Sequence, residues 1–164
     1  MKTLLLLRHA KSSWKHPELA DHDRPLNKRG KRDAPSIGQL VSDKGLVPDL
    51  IMSSTAKRAR KTARAVAKAS GYKGKIELTP TFYLASPEAY IEALCSLSED
   101  YERIMLVGHN PGMEELLEML IRRIEPMPTA ALALVSLPIT EWKELNYETT
   151  GELIDLWKPR ELVL

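Results

Sequence analysis

The stretch Leu4-Leu5-Leu6-Leu7-Arg8-His9-Ala10 sets four consecutive apolar residues directly before an arginine and a histidine. A short apolar run without alternation reads as a strand covered on both faces. Asp49-Leu50-Ile51-Met52-Ser53 and Arg103-Ile104-Met105-Leu106-Val107 have the same character. Each run ends in a different cluster: Arg8-His9-Ala10, Ser53-Ser54-Thr55 and Gly108-His109-Asn110-Pro111-Gly112. Helical patterns lie between them, over residues 27–43, 55–70, 87–98 and 113–124, the third capped by Ser86 with Pro87 at its first position. Strands alternating with helices predict a layered α/β fold with a mainly parallel sheet. Residues 131–137 and 152–157 predict two more strands joined by a polar segment, one of them pairing antiparallel at or near a sheet edge. Ligands of open α/β sheets bind beyond the carboxyl ends of the strands. The three end clusters are therefore expected on one rim.

Bulk properties narrow the function. The 164 residues are expected to form one domain with its own core. A formal net charge of +2 implies neither a nucleic-acid nor a membrane partner. The single cysteine, Cys95, has no internal disulfide partner and sits in an apolar helical pattern that points to packing. The N-terminal apolar run is too short for a signal peptide and ends at Arg8-His9, and no apolar stretch approaches the ~20 residues of a membrane span. A cytoplasmic protein is expected, with no metal site and no cofactor.

The end clusters carry the chemistry. A histidine just past a buried strand is held rigidly, and neutral imidazole, with an ordinary pKa of about 6.5, offers a nucleophilic nitrogen near pH 7. Arg8 adds a permanent charge and a planar fork of donors suited to phosphate oxygens. The alternative is a strand-end pair facing solvent. Ser53 to Arg58 offers hydroxyls and backbone donors at a helix start, where anions are favoured. On a helical wheel Lys57, Arg60, Lys61, Arg64 and Lys68 share one arc, which reads as a wet face or a nucleic-acid patch. Arg58 points about 100° away from that arc. A cation in the first turn opposes the helix dipole unless an anion is near. His109 is displayed by a glycine-flanked turn, with Pro111 restricting Asn110 to extended backbone. His16 and His22, in polar loop sequence, are expected to be solvent-exposed.

Leu7-Arg8-His9-Ala10, the Ser-Ser-x-x-x-Arg-Ala-x-x-Thr-Ala pattern of residues 53–63, and Val107-Gly108-His109-Asn110 together resemble the histidine phosphatase superfamily. The short chain and the Asp23-Arg24-Pro25-Leu26…Gly30 segment resemble its SixA-type phosphohistidine phosphatase branch. The resemblance implies a three-layer, phosphoglycerate-mutase-like fold with helices on both faces of the sheet and one antiparallel strand. It implies that His9 becomes phosphorylated and that Arg8, Arg58 and His109 bind the phosphoryl group. The substrate would be a phosphorylated protein carrying phosphohistidine, or a small phosphorylated metabolite. Ala10 stands where many members of the superfamily have glycine. Many also carry a carboxylic acid that protonates the leaving group. Glu88 lies in the corresponding region, but Ser86-Pro87-Glu88 is also an ordinary helix start, and Asp21 and Asp23 are no stronger.

Overall fold

The computed structural model describes residues 1–162. Among these residues, β1 (Lys2–Arg8), β2 (Leu50–Ser54), β3 (Ile76–Thr79), β4 (Arg103–Gly108), β5 (Leu132–Leu137) and β6 (Glu152–Trp157) form one sheet in the order β3-β2-β4-β1-β5-β6. β3, β2, β4 and β1 run parallel. β5 pairs antiparallel with β1 on one side and β6 on the other, so it alone runs against the rest. The α-helices are α1 (Lys28–Asp43), α2 (Lys57–Ser70), α3 (Pro87–Cys95) and α4 (Gly112–Ile121).

Leu4 to Leu7 show why the strand runs lack alternation. Leu5 and Leu7 pack with Ile51, Met105 and Val107 under Ala34 and Ile37 of α1 and Ala63 and Val66 of α2. Leu4 and Leu6 face the other way, with Met52 and Leu106, under Leu94 of α3 and Leu116 and Leu120 of α4. All four leucines are fully buried. Each such side chain contributes about 1.5–3 kcal/mol of burial energy, so both faces of β1 fix its register.

The structure departs from expectation at the margins. β3 is an added edge strand whose four residues are half-buried or exposed, so no apolar run marked it. α3 and α4 end earlier than their apolar patterns, at Cys95 and Ile121; Arg122 closes α4 with a left-handed backbone, φ 63°. Ser86 occupies the N-cap position of α3 without a side-chain cap bond. The polar segment before β6 contains Trp142, fully buried with its indole nitrogen donating to the Tyr101 carbonyl at 2.7 Å. Cys95 packs against the core, its thiol 3.1 Å from the Leu145 carbonyl oxygen. Among the described residues, no helix is long and apolar enough to cross a membrane.

Topology locates a crevice. β4 and β1 are neighbours, yet α4, which follows β4, and α1, which follows β1, cover opposite faces of the sheet. Connections that diverge from adjacent parallel strands leave a cleft at their carboxyl ends.

Candidate active site

Strand register brings the two central histidines together. Arg8 of β1 pairs with Gly108 of β4, so His9 and His109 follow at matching positions past the sheet edge. Their ring centroids are 5.1 Å apart. The His9 backbone is held on both sides: its N–H donates to the Gly108 carbonyl and its carbonyl accepts from Ala130 N–H, each at 3.0 Å. The turn carrying His109 fits closely against α3. A Cβ at Gly108 would lie 2.1 Å from the Tyr90 hydroxyl, and one at Gly112 would lie 1.9 Å from the Ala85 carbonyl oxygen. The Asn110–Pro111 peptide within this turn is cis.

A hydrogen bond sets the tautomer of His9. Its Nδ1 lies 2.8 Å from the Ala10 carbonyl oxygen. A carbonyl only accepts, so Nδ1 carries the hydrogen and Nε2 keeps its lone pair. His9 is 7% exposed and lines a pocket of about 160 Å³ together with Arg8, Arg58, Lys11, Ser12, Trp14, Arg24 and Thr129. His109 sits beside that pocket, with Nε2 2.8 Å from the Ser54 hydroxyl and, among the described residues, no partner for its buried Nδ1. Ser54 is itself fixed by accepting from Ala56 N–H.

Arg58 is 4% exposed, whereas Lys61, Arg64 and Lys68 are exposed as the wheel predicted; Lys57 and Arg60, expected on the same wet face, are half-buried. Thr62 ties its helical turn to the histidine loop: the hydroxyl accepts from Ala10 N–H at 2.9 Å and donates to the Arg58 carbonyl at 2.7 Å. The anion that balances Arg58 at its helix start comes from the chain itself. Its guanidinium donates to the Asp21 carbonyl at 2.7 Å and to the Asp21 carboxylate at 2.9 Å. That carboxylate also accepts from the Tyr83 hydroxyl and Arg24. The Tyr83 bond, then those to Arg24 and Arg58, hold Asp21 well below the usual carboxylate range. Arg8 donates to the Met127 carbonyl at 3.0 Å and keeps a buried Nε that has no partner among the described residues.

Burial pushes His9 down to about 3; His109, Arg58 and Arg8 push the same way, while the Ala10 carbonyl opposes them. Burial, then Arg58, pushes His109 down to about 4. Both rings are thus neutral in the empty site near pH 7, for which desolvation counts more than the arginines. This has a consequence for stability. Below pH 6.5 the unfolded chain protonates both histidines while the folded chain does not, so stability falls as pH drops from 7 toward 4. Urea unfolding at pH 5 should show a loss of up to about 2 kcal/mol per imidazole relative to pH 7. The double variant His9→Ala/His109→Ala should lack that component, and an identical pH slope in both proteins would contradict it.

Several site residues escaped the sequence reading. Ser12, Trp14, Arg24 and Thr129 lie on loops whose approach depends on tertiary contacts, although Arg24 stood in the quoted Asp23-Arg24-Pro25-Leu26 segment. Trp14 stacks on Arg24, whose guanidinium carbon is 3.3 Å from the ring centroid. His22, expected in solvent, is only half-exposed: Nε2 bonds to the Thr55 hydroxyl at 2.9 Å and its ring meets Tyr83 edge-on. His16 is exposed as expected. Glu88 is also exposed and lies outside the pocket lining, its carboxyl held below the ordinary value by the Ser86 hydroxyl.

Residues 4–82 match the histidine phosphatase superfamily (branch 1). A chloroplastic protein of Arabidopsis thaliana, itself uncharacterised, is 36% identical over 152 residues, covering 87% of this chain and 70% of its own. The crystal structure of SixA from Agrobacterium tumefaciens, a candidate phosphohistidine phosphatase, superposes with a TM-score of 0.83 at 34% identity, over 96% of this chain and 98% of that one. The protein histidine phosphatase SixA complexed with tungstate shares the fold, with a TM-score of 0.83 at 19% identity over 98% and 99% of the two chains. With near-complete coverage and over a third of positions shared, the chain belongs to the histidine phosphatase superfamily, in its SixA-type branch.

Proposed function

We propose that this protein is a phosphatase that transfers the phosphoryl group of a protein-borne phosphohistidine to His9 and then to water. The observation that carries the reading is the His9 ring, its Nδ1–H held by the Ala10 carbonyl and its Nε2 lone pair left free in a pocket shared with Arg8 and Arg58. Nε2 attacks phosphorus in line; the new N–P bond forms as the bond to the substrate nitrogen breaks. The departing imidazole keeps the electron pair and takes a proton from solvent. Water then attacks the phosphorus on His9, releasing phosphate and restoring the ring. Arg8 and Arg58 neutralise the charge spread over the equatorial oxygens. A bound phosphoryl dianion raises the pKa of His109, so that its ring becomes a charged donor once substrate is present.

The substrate class follows from the leaving group. Asp21 is held ionised among three donors, and Glu88 is exposed and held low. Neither is poised as a protonated acid. An alkoxide leaving group, the conjugate base of an alcohol near the pKa of water, about 15.7, requires a proton donor. A phosphohistidine takes its proton from solvent on the distal ring nitrogen, at a pKa near the imidazole value of about 6.5, and leaves as neutral imidazole without a protein acid. Of the SixA proteins of the same fold, one is described as a candidate phosphohistidine phosphatase and another as a protein histidine phosphatase. The same proposal makes the chain one catalytic domain, residing in the cytoplasm and relying on its own cations rather than a metal. Rates on a histidine-phosphorylated protein, a sugar phosphate and phosphoserine test it. Phosphohistidine should be preferred and Glu88→Gln should change nothing. Preference for either ester, lost in Glu88→Gln, would transfer the assignment to a metabolite phosphatase.

A further inference from the structure

The formal charge of +2 conceals a separation of signs. Residues 1–75 carry 18 Lys and Arg against six Asp and Glu, and residues 76–164 carry six against 16. The fold sorts these by layer. α1 and α2, on the Leu5 and Leu7 face, hold ten Lys and Arg and two Asp. α3 and α4, on the Leu4 and Leu6 face, hold five Glu and no cation. Surfaces that do not steer a partner normally intersperse the two signs.

Within the basic layer lies a groove of about 400 Å³ lined by Pro25, Leu26, Lys31, Lys57, Lys61 and Ala65. Among the described residues, these three lysines form no ion pair within 4.0 Å: Asp33 is taken by Arg29 and Arg32, Asp43 accepts from Gln39, and α2 contains no acid. The groove adjoins the catalytic pocket through a shared wall. Ser12 bridges to Leu26, and Ser13 N–H donates to the Pro25 carbonyl at 2.8 Å. Ser12, Trp14 and Arg24 line the pocket on one side of this wall, and Pro25 and Leu26 line the groove on the other. Lys57 directly precedes Arg58.

We propose that this groove docks an acidic protein surface bearing the phosphorylated histidine, and that it selects among protein substrates. The proposal rests on the phosphohistidine reading above. Carboxylates on the partner would meet three unpaired ammonium groups over an apolar floor, beside the pocket that receives the phosphoryl group. Nucleic acid is the weaker match, since no aromatic side chain among the described residues lines the groove for bases to stack on.

The test compares wild type with Lys31→Glu/Lys57→Glu/Lys61→Glu on a histidine-phosphorylated protein of net negative charge and on free phosphohistidine. A Glu at position 57 lies in the first turn of α2, where it favours the helix dipole, and the Gln triple variant covers the case in which charge reversal impairs folding. The variants should raise KM for the protein about tenfold or more with kcat little changed, and flatten its salt dependence. Hydrolysis of free phosphohistidine should be unaffected. Unchanged KM, or equal loss on both substrates, overturns the docking proposal. So does an oligonucleotide that displaces the acidic protein at matched concentration and salt, or salt-sensitive self-association removed by the same substitutions. If wild type cleaves sugar phosphates but neither phosphohistidine substrate, the underlying reading fails and docking with it. That result appears before any lysine is changed, so the two failures are distinct.

Discussion

His9→Ala should abolish turnover, lowering kcat by about 10⁴ or more, the scale seen when a covalent nucleophile is removed from a preorganised site. The fold should survive. Among the described residues His9 makes one side-chain hydrogen bond, to the carbonyl of the residue that follows it, and its backbone bonds to Gly108 and Ala130 do not involve the ring. Truncation also removes a neutral imidazole whose desolvation opposes protonation, so the variant should melt within a few degrees of wild type near neutral pH. Brief incubation of wild type with labelled phosphohistidine protein, quenched in alkali, should trap acid-labile phosphate that maps to His9. Label on another residue, or turnover in His9→Ala within tenfold of wild type, would remove His9 from the reaction path.

Much of this site is legible in the sequence because local and global signals coincide. Leu4 to Leu7, Leu50 to Met52 and Ile104 to Val107 are buried on both sheet faces, so their unbroken apolar character reports parallel strands with one shared carboxyl edge. The register that pairs Arg8 with Gly108 then delivers both histidines. Arg58 separates from its neighbours on α2 because helix periodicity alone decides which cation turns inward. Asp21 was not legible in the same way. Its contacts to Arg58 and Tyr83 span 37 and 62 residues and depend on where a polar loop settles. β3 escaped because a four-residue edge strand buries no continuous face. Trp14 and Thr129 reach the pocket from loops whose local sequence carries no periodic signal. Pattern predicts which elements pack; it does not predict which loop residue closes over their ends.

Arg58→Ala should lower kcat/KM by about 10² to 10³, the usual consequence of losing a preorganised donor to a developing anion. The competing view is that Arg58 is structural, since its guanidinium is already occupied by the Asp21 carbonyl and carboxylate. Two further variants separate these roles. Arg58→Lys keeps the charge but loses the planar fork that meets two oxygens at once, so a phosphate-binding role predicts only partial recovery. Asp21→Asn leaves Arg58 charged and weakens only its tie to the loop. It should cost far less than Arg58→Ala and should strengthen inhibition by inorganic phosphate, because the bound anion no longer competes with a carboxylate for the guanidinium. Truncating Arg58 leaves Asp21 with Arg24 and Tyr83 as partners, and the Asp21 side chain is 43% exposed, so stability should fall only slightly. If Asp21→Asn matches the loss in Arg58→Ala, or if phosphate inhibits wild type and Arg58→Ala equally, Arg58 serves to hold the loop and the phosphoryl group is bound elsewhere.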